Sequence, residues 1–247
     1  MNTLIFNIYC DSHTGMRRTN NEDCVVADGS HTLVVLADGM GGHKAGEVAS
    51  AMAANGVLNN VRNWLEKCRE RTISRNLKKA VTRFISHANS LIYQESLLDF
   101  EKRGMGTTIV VAVVRKNKLT IAHVGDSRAY LFRDGKLIRL TEDHTKVQDQ
   151  IQSGMITFEA SSKSPLRNVL TRSVGVLDHV EVDVQEINLF AKDKILLCSD
   201  GLTDMLSEQE IAKILSTELT LDKSVGRLIK CANDAGGLDN ISLALVG

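Results

Sequence analysis

Proline is nearly missing from this chain: Pro165 is the single one in 247 residues, and no Gly/Ser linker, repeat or low-complexity tract replaces it as punctuation. With nothing to mark a boundary, one domain over residues 1–247 is expected. Aromatic side chains are scarce too, at 4%, and the lone tryptophan, Trp64, reads as a packing residue at a helix end. Net charge is zero, 30 Lys and Arg against 30 Asp and Glu. These absences argue against the basic, aromatic-lined groove of a nucleic-acid binder and the cationic face of a membrane-surface protein. No apolar run is long enough to cross a bilayer, and Leu4-Ile5-Phe6-Asn7-Ile8-Tyr9, with no Lys or Arg before it, reads as a first strand rather than a leader. The five cysteines are odd in number and scattered, with no C-x-x-C pair, so neither a zinc knuckle nor a redox motif is indicated. Free thiols in a reducing cytoplasm fit them, with Cys198 a small core residue.

What is present is a set of aspartates at the ends of apolar strands. Asp38 closes Thr32–Ala37, Asp126 follows Ile121–Gly125, Asp200 closes Ile195–Ser199, and Asp239 stands just before Ile241–Val246. Buried strands aim their ends at a common edge, and carboxylates gathered there repel one another unless a cation neutralises them. The pattern asks for a metal site built from oxygen ligands. Asp-Gly occurs four times, at Asp28, Asp38, Asp134 and Asp200. Asp28-Gly29 and Asp134-Gly135 lie between strand-like runs and read as hairpin turns. Asp38-Gly39 and Asp200-Gly201 lead instead toward helices, where glycine lets backbone approach a ligand closely.

Helical period is clear from Ala45 to Val57 and from Leu77 to Ile92, and Ser207-Glu208-Gln209-Glu210 has capping-box form before a short helix. Val225, Leu228, Ile229 and Ala232 mark another. The remainder reads as strands, including the pairs Thr108–Val114 with Leu119–Val124 and Ala129–Phe132 with Leu137–Leu140, and an alternating run over Val180, Val182 and Val184. Many antiparallel strands with a few long helices imply two packed sheets with helices outside. Residues 141–166 are polar and weakly periodic and are expected to form a surface flap.

Six motifs in order carry a resemblance: Arg18-x-x-x-Glu22-Asp23, Asp38-Gly39-Met40-Gly41-Gly42, Gly106-Thr107-Thr108, Gly125-Asp126-Ser127-Arg128, Ser199-Asp200-Gly201 and Gly237-x-Asp239-Asn240. Each is weak alone; together, from about Cys10 to Val246, they resemble the metal-dependent serine/threonine protein phosphatases of the 2C type in their compact bacterial form. The resemblance implies an α+β fold, a four-layer αββα sandwich, with a binuclear Mn²⁺ or Mg²⁺ centre and a weaker third ion. It implies Asp38 as bridging ligand with the Gly39 carbonyl beside it, and Asp200 and Asp239 on the first metal. Glu22 and Asp23 act through water on the second. Asp126 with Asp200 binds the third, and Arg18 grips substrate phosphate. Met40 stands where some relatives carry a histidine acid, which leaves His43, three positions on, as the candidate proton donor, with a metal-bound water as the alternative. His144 is expected to shape substrate access, Ser127 and Arg128 to support Asp126, and His123 to be a packed or edge strand histidine.

The implied reaction is direct hydrolysis of phosphoserine and phosphothreonine on proteins by a metal-bridging hydroxide. No cysteine is followed by arginine at Cys-x5-Arg spacing, in keeping with a path lacking a phosphoenzyme. A non-catalytic phosphoprotein-binding relative and another metal-dependent phosphoester hydrolase are the alternatives. The expected partners are phosphorylated proteins and an opposing serine/threonine kinase, with neither nucleic acid nor membrane.

Overall fold

The computed structural model describes residues 4–41, 45–157, 160, 164–217 and 220–247. Its strands form two sheets in which every pairing is antiparallel. One sheet runs β2 (Asp23–Asp28), β3 (Leu33–Met40), β5 (Ile109–Arg115), β6 (Lys118–Val124), β9 (Asp183–Asn188), with β4 (Gly106–Thr107) on the end of β3. The other runs β1 (Ile8–His13), β11 (Ile241–Val246), β10 (Lys194–Cys198), β7 (Arg128–Arg133), β8 (Lys136–Arg139). Helices α1 (Ala45–Lys67) and α2 (Glu70–Leu98) cover the first sheet; α5 (Glu208–Thr217) and α6 (Leu221–Asp234) cover the second. Two short helices, α3 (Lys146–Gln152) and α4 (Asp200–Thr203), complete the six α-helices bounded among the described residues, beside a single 3₁₀ turn at Phe100–Lys102.

This is the expected αββα sandwich, and β3 shows how sequence builds it. Leu33, Val35 and Ala37 face α1 and α2, while Val34 and Leu36 face the opposite sheet among Val110, Leu131, Ile195 and Ala244. A strand buried on both faces needs a continuous apolar run rather than alternation. Full burial of such side chains contributes about 1.5–3 kcal/mol each, which fixes the strand ends where the aspartates stand. On the far side Leu196, Cys198 and Leu243 pack against Ile211, Val225 and Leu228. Ser207 and Glu210 form the reciprocal cap that opens α5.

Several boundaries move. β1 begins at Ile8 rather than Leu4, because Ile8 is the first residue in register with β11. The valine alternation before Val184 packs against the helix-side core, but pairing with β6 starts only at Asp183. β3 runs on through Asp38-Gly39-Met40, since β4 pairs with Gly39 and Met40. Within residues 141–166, Thr141, His144 and Thr145 are buried and α3 follows, so the start of that segment belongs to the body of the protein. No described helix is long and apolar enough to cross a membrane.

Candidate metal centre

Asp23 and Asp38 stand directly opposite each other in the β2–β3 ladder. Asp200 opens α4 two residues beyond β10, Asp239 lies two residues before β11, and Asp126 occupies the turn between β6 and β7. Carboxylates from both sheets thus meet at one edge of the sandwich. The Ser199 hydroxyl crosses between the sheets to donate to Asp23 Oδ2 at 2.9 Å. Thr108 Oγ1 accepts the Asp38 N–H at 3.0 Å and lies 2.7 Å from Ser127 Oγ. Ser127 thus reaches Asp38 through Thr108, and Arg128 turns its fork to Asp143 at 2.7 Å while its charge still acts on Asp126. Asn240 knots the loops together: its Oδ1 accepts the Glu22 N–H at 2.8 Å, and its Nδ2 donates to the carbonyls of Thr14 and Asn20, both at 2.9 Å.

Two glycines permit this crowding. A Cβ on Gly39 would lie 2.2 Å from the Gly46 carbonyl oxygen, and one on Gly201 would lie 2.0 Å from that of Asn240. The Asp-Gly pairs at Asp38 and Asp200 are packing requirements, whereas Asp134-Gly135 is a turn with φ of 51° and 76°.

The electrostatics is that of acids forced together. Burial, then the charges of Asp23 and Asp200, pushes Asp38 well above its ordinary value. Burial and then Asp126 and Asp204 do the same to Asp200. Burial raises Asp23 to about 6 and, with the charge of Asp143 behind it, Asp126 to about 6. Burial also raises Glu22, against the pull of Arg18. Asp23 Oδ1 is enclosed yet has no hydrogen-bond partner. Such a cluster is satisfied by cations, and its oxygen-only donor set suits hard divalent ions. Among the described residues no three of these acids bring oxygens within 4.8 Å of one another.

Arg18 lies at the mouth, its Nη2 2.7 Å from Asp239 Oδ2 and its side chain 55% exposed. A groove of about 1310 Å³ opens beside Glu22, lined by Thr19, Asn20, Glu47, Phe100 and Arg103 among others. A smaller cavity of about 400 Å³, between α2 and the β5–β6 hairpin, holds none of the clustered acids. His43 lies outside the described residues. His123 is packed as expected, 4% exposed. His144 is 3% exposed and hydrogen-bonded into the body, so it does not face a substrate path.

The sequence model described as protein phosphatase 2C matches residues 11–244. The chain belongs to the protein phosphatase 2C family. It is 37% identical over 246 residues to protein phosphatase PhpP of Streptococcus pneumoniae, covering 94% of this chain and 93% of that protein. The solved serine/threonine phosphatase of S. agalactiae superposes with a TM-score of 0.88 at 36% identity, covering 98% of each chain. The catalytic domain of the phosphatase PstP, solved with two manganese ions, superposes with a TM-score of 0.81 at 34% identity, covering 98% of this chain and 97% of that one. As a 2C phosphatase the chain is a metal-dependent serine/threonine protein phosphatase. Three supports of its acid cluster, Thr108, Ser199 and Asn240, lie inside the sequence motifs, but only the three-dimensional contacts reveal what each one holds.

Proposed function

We propose that the acid cluster holds two Mn²⁺ or Mg²⁺ ions and a weaker third, and that the enzyme dephosphorylates phosphoserine and phosphothreonine on cytoplasmic proteins. Asp38 would serve both principal ions with the Gly39 carbonyl beside it, Asp200 and Asp239 would hold the first, and Glu22 and Asp23 would reach the second through water. Asp126 would join Asp200 at the third. The observation that carries this reading is the convergence of raised carboxylates from both sheets around an unpartnered Asp23 oxygen. When bound, the ions neutralise substrate charge and supply an activated water, so hydrolysis is direct.

The chain's own groups do the rest. Arg18 is exposed enough to turn its planar fork from Asp239 to two phosphate oxygens. Asn240 and Thr108 keep Glu22 and Asp38 from rotating away. The groove beside Glu22 receives the protein chain flanking the phosphoresidue, and the part of the 141–166 segment beyond its buried start contributes to substrate choice. His43 is the candidate acid for the leaving hydroxyl. An opposing serine/threonine kinase is the expected partner. Phosphate release from a phosphothreonine peptide, measured with Mn²⁺, with Mg²⁺ and with EDTA, tests the proposal. Turnover that survives EDTA would overturn the metal assignment, and turnover of phosphodiesters without phosphopeptides would overturn the substrate class.

A further inference from the structure

Every residue from Thr141 to His144 is bonded to the strands that flank Asp126 or to the turn that carries it. Thr141 Oγ1 accepts the Ala129 N–H at 3.0 Å. The Glu142 carbonyl lies 2.8 Å from His123 Nε2, and Asp143 takes Arg128 Nη2 at 2.7 Å. His144 grips Gly125 twice: its backbone N–H donates to the Gly125 carbonyl at 3.0 Å, and its Nδ1 accepts the Gly125 N–H at 3.1 Å. Gly125 itself sits at φ +100°, where a Cβ would come within 2.7 Å of Thr108. The turn that carries Asp126 is therefore pinned from both sides.

An Nδ1 that accepts leaves the ring proton on Nε2. That nitrogen lies 3.2 Å from Asp183 Oδ2, and the other Asp183 oxygen takes Arg172 Nη1 at 2.9 Å. His123 stacks on the ring with centroids 4.6 Å apart. His123, His144 and Asp183 also bring potential ligand atoms within 4.8 Å of one another. A metal there would need a lone pair at His144 Nε2, which carries the proton, and His123 Nε2 already donates to a carbonyl. The hydrogen bonds favour a clamp over a second metal site.

We propose that His144 is a positioning residue for the reaction: its Nδ1 fixes the Gly125–Asp126 turn, in a tautomer set by Asp183 and Arg172. The proposal rests on the reading of Asp126 as an ion-facing carboxylate. Carboxylates and carbonyls behind a metal site commonly orient its ligands in this way, and their loss costs about 10–100-fold in metal affinity. Here the same logic works one step removed, through a backbone amide.

Two variants of the full chain separate the roles of the ring nitrogens. His144→Asn places Oδ1 where Nδ1 was and restores an acceptor for the Gly125 N–H. His144→Gln keeps a polar group toward Asp183 but offers no such acceptor. Gly125 amide exchange by NMR and calorimetric Mn²⁺ titration are measured in both, beside wild type and Asp126→Asn, together with kcat and KM on a phosphopeptide. In His144→Gln, Gly125 exchange is expected to quicken and the Asp126-dependent Mn²⁺ step to weaken about ten-fold. Its kcat should fall with KM unchanged, and His144→Asn should return each quantity toward wild type. Indistinguishable behaviour of the two variants overturns the proposal, as does a His144→Gln protein that matches wild type. Should Asp126→Asn titrate like wild type, the ion assignment of Asp126 falls, and Gly125 exchange alone still decides the clamp. Tight Zn²⁺ binding by wild type that both His144 variants lose would make the cluster a metal site and overturn the clamp.

Discussion

Replacing Asp126 with asparagine should stabilise the metal-free enzyme while weakening its response to metal. Asp126 has an ordinary value of 3.8 and is raised to about 6 in the folded chain, by burial first and then by Asp143. A carboxylate raised on folding contributes fully below its unfolded value and loses that contribution as pH climbs through the folded one. The loss therefore falls between about pH 4 and pH 7. A rise of that size corresponds to about 3 kcal/mol at its limit, and water reaching the cleft screens it to about 1–2 kcal/mol. Asp126→Asn cannot ionise and escapes the loss. In EDTA at pH 7.5 it should exceed wild type by about 1–2 kcal/mol, or about 2–8 °C in Tm for a chain of this size; at pH 4 the difference should vanish. Saturating Mn²⁺ should stabilise wild type more than the variant and shrink or invert the gap. Urea unfolding followed by circular dichroism at pH 4, 6 and 7.5 measures it. The difference between the proteins is the informative quantity, because Asp143 and Asp183 are held low despite burial by their arginine partners and push overall stability the other way. A variant less stable than wild type in EDTA at pH 7.5 would refute the argument.

Asp38→Asn and Asp239→Asn should each lower phosphopeptide turnover by about 10²-fold or more with the fold intact by circular dichroism; near wild-type rates in either would remove that residue from the metal set. Arg18→Lys should raise KM for the phosphopeptide about ten-fold with a smaller change in kcat, because the planar fork is lost while the charge stays; steady-state kinetics checks this, and an unchanged KM would take Arg18 off the phosphate. Gly201→Ala forces a Cβ to within 2.0 Å of the Asn240 carbonyl oxygen and should cost about 1–3 kcal/mol, read as a fall in Tm. At Gly29 nothing lies within 4 Å, and the same substitution there should move stability by less than about 0.5 kcal/mol.

The layers of the fold were legible because they are written in local pattern. Leu33–Ala37 announces a strand buried on both faces, and Ser207 with Glu210 announces a helix start. Strand ends were less legible. β3 outruns its apolar run because β4 arrives from 68 residues away to pair with Gly39, and no local signal records that. The acids of the cluster were visible as strand-end residues, but their supports were not. Thr108 and Asn240 hold Asp38 and Glu22 across 70 and 218 positions of sequence, contacts that only the folded chain creates. His144 is the sharpest case. Beside Thr141-Glu142-Asp143 it reads as a surface group at the entrance to a flap, yet it is 3% exposed, because both faces of the turn at Gly125 need its hydrogen bonds.

Asp23 and Asp38 hang from one sheet, Asp200 and Asp239 from loops of the other, so divalent ions among them would rivet the two halves of the sandwich at a single rim. Elsewhere the halves adhere mainly through oily contact, with a few polar ties such as Arg133 to the Asn188 carbonyl. Under cation starvation this phosphatase would gape at its working end first and offer proteases a foothold there. Mineral supply would then govern how much enzyme survives as well as how fast it turns over.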